Sequence, residues 1–200
     1  MAIAAGADAL GLVAEMPSGP GPIDDDSIAE IAAFAPPPLA TFLLPSRTDA
    51  EGIVDHVHYC GTNTLQIVSH IKVGEYPGII KALPNVRRVQ VIHVEDDSAI
   101  ELIREYEPYV HAFLLDSGRP NAAVTELGGT GRTHDWDISS TCVAATEKPV
   151  FLAGGLAPEN AGRAIKQVKP FGLDLCSGVR SNHQLDSAKL SAFMQAVATA

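Results

Sequence analysis

One regularity constrains the fold of this chain more than any other. Short apolar runs rich in branched residues recur along its 200 residues at Asp8–Val13, Leu39–Leu44, Thr64–Val68, Arg88–Val94, Ala112–Asp116, Val150–Ala153 and Leu173–Cys176. Helix-like stretches lie between and after them, at Asp24–Phe34, Asp49–Tyr59, Gly74–Leu83, Asp96–Tyr106, Ile138–Thr146, Pro158–Val168 and Asp186–Ala198. Runs of that length, bounded by turn-forming residues, read as strands. Most are continuously apolar, the pattern of parallel strands covered on both faces. Repeated strand–helix units leave two architectures, a (β/α)8 barrel of the TIM type or a doubly wound sheet. The helix starts agree with this reading. Asp24 and Asp186 stand where caps are needed, and Asp96-Asp97-Ser98 puts carboxylates at another start. Pro158 and Glu159 suit a first turn. Met16–Pro22 reads as a loop and Pro36–Pro38 as a helix stop. No linker divides the chain, so one barrel domain over residues 1–200 is expected.

Seven units are one short of a closed barrel. Ala2–Gly6 looks like the end of a helix closed by glycine. The expectation is therefore a (β/α)8 barrel with its first β-strand absent from the chain. A true seven-strand barrel is disfavoured, because closure ties strand number to tilt and shear. A sheet open in this way would expose strand flanks, which predicts poor solubility or association, and a homo-oligomer is compatible with it.

The strand ends carry the chemistry. Ala153-Gly154-Gly155-Leu156 and Ser177-Gly178-Val179 follow consecutive apolar runs. Glycines there let backbone N–H groups approach an anion, and two such turns on late strands, each opening a helix, make a phosphate cradle. Asp116 ends an earlier run and points into the same mouth. It is the candidate catalytic carboxylate, and to act as an acid near neutrality it needs burial in an apolar rim. Asp174 faces the interior only if the alternation also turns Cys176 inward. A third glycine stretch, Gly128-Gly129-Thr130-Gly131-Arg132, lies between these regions. Together they predict acid–base chemistry on a phosphorylated small molecule, with no cofactor.

Composition excludes several alternatives. A net charge of −10 and the lack of a basic stripe argue against nucleic acid. No apolar run approaches the ~18 residues of a membrane span, and the first residues lack a convincing signal peptide. Cys60, Cys142 and Cys176 show neither metal spacing nor a disulfide framework, which favours the cytoplasm. His56 and His58 fall on different helix faces, so no metal is expected there.

At this point a resemblance becomes visible. The blocks AGADALGLV, Leu65-Gln66, FLLDS, LGGTGRTHDW, PVFLAGGLAPENAGRAI and PFGLDLCSGVRS resemble the phosphoribosylanthranilate isomerase family of tryptophan biosynthesis. The resemblance covers nearly the whole chain, and Gly-Gly-Thr-Gly followed by Asp135-Trp136 is its most specific part. It implies a (β/α)8 barrel that performs an Amadori rearrangement, aminoaldose to aminoketose, without cofactor or metal. An acid protonates the ribose ring oxygen, and a base then removes the C2′ proton. By motif, Asp116 matches the acid. Gly154, Gly155, Ser177 and Gly178 match the phosphate turns, Asp174 a ligand-contacting carboxylate, and the loop with Gly129 and Gly131 the loop that covers the site.

Departures from the family pattern cluster on the aromatic side. The family's base is a cysteine in a Lys-x-Cys-Gly first strand, which the resemblance places ahead of residue 1. Its arginine after the second strand has no counterpart, and Gly21 falls at about that position. Its Gln-Leu-His-Gly is Gln66-Ile67-Val68-Ser69, and its Glu after Ser-Gly-Val is Arg180. Arg132 and Arg180 are candidates for the missing positive charge. Cys176, on the strand that a barrel sets beside the first, is a candidate stand-in base, and His93 a candidate base or anion contact. Two alternatives stay open: a phosphosugar-binding barrel without catalysis, and an isomerase or epimerase of another phosphosugar.

Overall fold

The computed structural model describes residues 1–16, 21–118, 133–182 and 184–200. Gly129, Gly131 and Arg132 lie outside the described residues. Seven strands, β1 (Ala9–Val13), β2 (Ala40–Leu44), β3 (Thr64–Ile67), β4 (Arg87–His93), β5 (Ala112–Asp116), β6 (Val150–Leu152) and β7 (Gly172–Leu173), pair in parallel and in chain order. They are joined and followed by α1 (Asp25–Phe34), α2 (Ala50–Cys60), α3 (Tyr76–Ala82), α4 (Ser98–Tyr106), α5 (Trp136–Ala144), α6 (Pro158–Val168) and α7 (Ser187–Ala198). A doubly wound sheet would reverse direction at a switch point, and this order does not.

Several helices begin for a local reason. The Asp24 carboxylate accepts the Ser27 N–H at 2.8 Å, and Asp186 accepts from Ala188 and Lys189. Asp135 caps α5, so that helix starts at Trp136 rather than at the expected Ile138. Pro158 opens α6, where its missing N–H costs nothing. The first residues form a 3₁₀ turn, Ile3–Ala5, closed by left-handed Gly6, where an added Cβ would stand 3.4 Å from the Met194 methyl of α7.

Register separates the two faces of the sheet. Val89, Val91 and His93 of β4 pair with Ala112, Leu114 and Asp116 of β5, so alternate residues share a face. One face buries Leu43, Leu65, Ile92, Phe113, Leu115 and Leu152 against Ile28, Ile53, Ile79, Ile103 and Ala164 of the helices. The other holds a strand-only cluster of Val89, Val91, Ala112, Leu114 and Ala153, backed by Phe42 and Phe151. Phe42 on β2 meets Phe151 on β6 edge to face at 6.3 Å, although three strands lie between β2 and β6 in the sheet order. Only a sheet curled on itself brings them together, and that inner cluster is the barrel interior.

Among the described residues, β1 and β7 each pair on one flank only, so the curl is open between them. This explains a shortening. The run expected over Leu173–Cys176 forms a ladder only at Gly172–Leu173. The Asp174 N–H still donates to the Leu152 carbonyl at 2.9 Å, but no described strand lies on the other flank to extend the pairing. A short hairpin of β8 (Arg180–Ser181) and β9 (Gln184–Leu185), absent from the sequence expectation, follows before α7.

Candidate active site

The C-terminal strand ends converge where alternation sends them. Asp116 ends β5 on the inward face and is 8% exposed. The Ser117 N–H donates to its Oδ1 at 2.7 Å, which favours the carboxylate. Burial outweighs that bond and raises the Asp116 pKa above the ordinary aspartate value. Gly172 pairs with Phe151 of the inner face, so Asp174, two residues on, is inward as well. Its carboxyl is pushed up to about 6, first by burial and second by the negative charge of Asp116. Asp174 still has partial contact with solvent, as befits the wall of an open hollow. Asp174 therefore holds its proton closer to neutrality than an exposed aspartate does, because it is buried beside a second acid.

Both acids line one hollow of about 60 Å³ with Ala153, Gly154, Gly155, Leu156, Cys176 and Ser177. The strand-end turns therefore share the space with the acids, and Cys176 faces inward beside Asp174. The turns also touch each other. A Cβ on Gly178 would fall 1.9 Å from the Leu156 carbonyl oxygen, so only glycine allows the two loops this approach. Gly154 has φ +82°, and a side chain there would strike Ser117. The cradle is thus built from backbone held at close quarters. Asn160 braces it: its amide donates to the Gly155 carbonyl at 2.9 Å while its Oδ1 accepts the Ala157 N–H at 2.9 Å.

His93 is placed differently. It is 3% exposed, and its Nε2 lies 3.0 Å from the Val68 carbonyl rather than on the hollow. The His70 ring stands 5.4 Å away. Burial lowers the pKa of both imidazoles, that of His70 to about 4, which keeps them neutral near pH 7. Ser117, Asn160 and His70 were not singled out from sequence. Asn160 alone had a readable signal, as the third residue of a Pro-Glu-Asn helix start.

A larger hollow of about 470 Å³ lies on the outer face between α1 and α2, walled by Asp24, Asp25, Asp26 and Asp55. Four carboxylates make it a poor phosphate site. Beside it, Asp25, His56 and Cys60 bring ligand-type atoms within 4.8 Å of one another. The His56 ring contacts the Asp25 carboxylate at 2.9 Å and ties the two helices together.

An acid pair beside two glycine turns, at the C-terminal mouth of a parallel barrel, has the form of an enzyme site for proton transfer on a small metabolite. Comparison with known proteins gives the family. The family model described as N-(5'phosphoribosyl)anthranilate (PRA) isomerase matches residues 49–196. The N-(5'-phosphoribosyl)anthranilate isomerase 2 of Methanosarcina mazei is 36% identical over 196 residues, 97% of this chain and 86% of that protein. The crystal structure of phosphoribosyl anthranilate isomerase from Thermotoga maritima superposes with TM-score 0.82 at 24% identity, covering 100% of this chain and 92% of that one. Another phosphoribosyl anthranilate isomerase, solved in complex with reduced 1-(o-carboxyphenylamino)-1-deoxyribulose 5-phosphate, gives TM-score 0.80 at 22% identity, with 100% and 91% covered. The chain belongs to the phosphoribosylanthranilate isomerase family, and its fold is that of the (β/α)8 barrel.

Proposed function

We propose that this chain isomerises N-(5'-phosphoribosyl)anthranilate to the corresponding aminoketose, with Asp116 as the general acid. The observation that carries the assignment is a buried carboxyl with a raised pKa that shares one hollow with Asp174 and the glycine turns. Protonation of the furanose ring oxygen opens the ring to a Schiff base. The C2′ proton then passes to a base, for which Cys176 on the same hollow is the candidate, and the resulting enol takes a proton at C1′ to become the aminoketose. Ring opening is the step that calls for the acid, and burial raises the Asp116 pKa in the direction that role needs. The Gly154–Gly155 and Ser177–Gly178 turns hold the phosphate, and Asp174 contacts the ribose. Gly129 and Gly131 belong to the covering loop in this reading.

The acidic net charge of −10 supports a small anionic metabolite as the partner, not a nucleic acid. Cys60, Cys142 and Cys176, which form no disulfide with one another, support a reducing cytoplasm, and no helix among the described residues is long and apolar enough to cross a membrane. The main apolar cluster runs from Leu12 of β1 to Phe193 of α7, which supports reading residues 1–200 as one unit.

The test is a fluorescence progress curve with phosphoribosylanthranilate. Asp116→Asn is expected to lower kcat by about 10²- to 10⁴-fold with ligand binding retained. Turnover unchanged in that variant removes Asp116 from the mechanism. Binding without turnover by the wild type would instead support a phosphosugar-binding barrel.

A further inference from the structure

We propose that Arg180 binds the carboxylate on the aromatic ring of the substrate and so decides which N-phosphoribosyl amine is accepted. This deepens the isomerase reading and rests on it. Phosphoribosylanthranilate is anionic at both ends. Its phosphate meets backbone turns, and its ribose lies against Asp116 and Asp174. Its ring carboxylate must then be held beyond two acids, on a chain of net charge −10. A cation is required there, and a guanidinium fits best, since its planar fork matches a carboxylate through two parallel hydrogen bonds.

Arg180 stands where such a group is needed. It directly follows the Ser177–Val179 turn and opens β8. Its backbone is fixed three times. The N–H donates to the Ser177 carbonyl, the carbonyl accepts the Lys189 ammonium at 2.9 Å, and the residue pairs with Leu185. From that base the guanidinium reaches across to Gly21, in the loop after β1. Its Nη2 lies 3.4 Å and its Cζ 3.9 Å from the point where a Cβ on Gly21 would stand. The Cys176 Sγ is 4.0 Å from the same point, and Cys176 lines the hollow of the two acids. Guanidinium, Gly21 and thiol thus form one corner of the mouth. A side chain at position 21 would press into that corner, so the loop after β1 yields space that the segment after β7 fills with charge.

The test uses the full chain as wild type, Arg180→Met and Arg180→Lys. Each is titrated with reduced 1-(o-carboxyphenylamino)-1-deoxyribulose 5-phosphate and with the same compound lacking the ring carboxylate. In the wild type, removing the ligand carboxylate is expected to weaken binding about 10- to 100-fold. Arg180→Met should bind the complete ligand that much more weakly and lose nothing further with the decarboxylated one. Arg180→Lys should fall between. Equal weakening of both ligands in Arg180→Met, or weakening of neither, overturns the proposal. If Arg180→Met melts early, Gly21→Asn serves in its place, because it crowds the guanidinium while keeping it, and the same selective loss is expected. A wild type that binds neither compound defeats the isomerase reading itself, a result distinct from loss of selectivity.

Discussion

At the scale of single residues, Asp174 offers the clearest electrostatic test. Folding raises its pKa from an ordinary 3.8 to about 6. The folded chain binds this proton more tightly than the unfolded chain does. The contribution to stability is therefore complete below about pH 4 and is lost as the pH rises through about 6. Asp174→Asn, which cannot ionise, should gain in Tm relative to the wild type as the pH is raised from about 4 to about 7. A Tm difference that does not vary with pH would show that the carboxyl is not held in this way. Gly178 gives a steric counterpart. Its missing Cβ would collide with the Leu156 carbonyl, whereas a Cβ on Gly61, at φ +65°, meets nothing within 4 Å. Gly61→Ala should therefore cost only the left-handed backbone strain, about 1 kcal/mol. Gly178→Ala should cost several times more, or separate the two turns and abolish phosphate binding. Chemical denaturation of both variants makes the comparison, and equal losses would show that the loops are not in contact.

At the scale of elements, α6 joins stability to function. Its N-cap is Ala157, which has no side-chain acceptor, so the helix start depends on Asn160 three residues in. The same amide holds the Gly155 carbonyl. Asn160→Ala should cost about 1–2 kcal/mol through the lost cap interaction, and it should also weaken phosphate affinity by releasing the turn. Denaturation together with phosphate titration checks both parts; lost stability with unchanged phosphate affinity would confine Asn160 to a capping role. The elements themselves were largely legible in the sequence. All seven expected strands and helices exist, because apolar run length, Asp caps and the Pro158 start are local signals. Where elements differ from expectation, the cause is tertiary. The β7 ladder is shortened because one flank meets no described strand. The β8–β9 hairpin was not expected, since two-residue strands leave no periodicity to read.

At the scale of the whole molecule, β1 and β7 each have one flank that pairs with no strand among the described residues. Such edges pair with other chains unless covered. The chain is expected to associate with rising concentration, and light scattering that reports a monomer across the range would show those flanks to be protected. The sequence by itself determined the order of elements, the parallel sheet and the two glycine turns, because each follows from residue type, spacing and local hydrogen bonding. The family was also legible, since its blocks are contiguous in the chain. Only the tertiary structure decided which side chains meet. Asp116 and Asp174 lie far apart in the chain, and only the curl and the strand register turn both inward, where burial raises each and the charge of Asp116 raises Asp174 further. His93 shares the inward register of Asp116 yet meets the Val68 carbonyl, with the His70 ring beside it. Gly21 and Arg180 lie near opposite ends of the chain, and no local rule predicts their contact. It arises because a sheet that curls brings its first and last loops to the same rim.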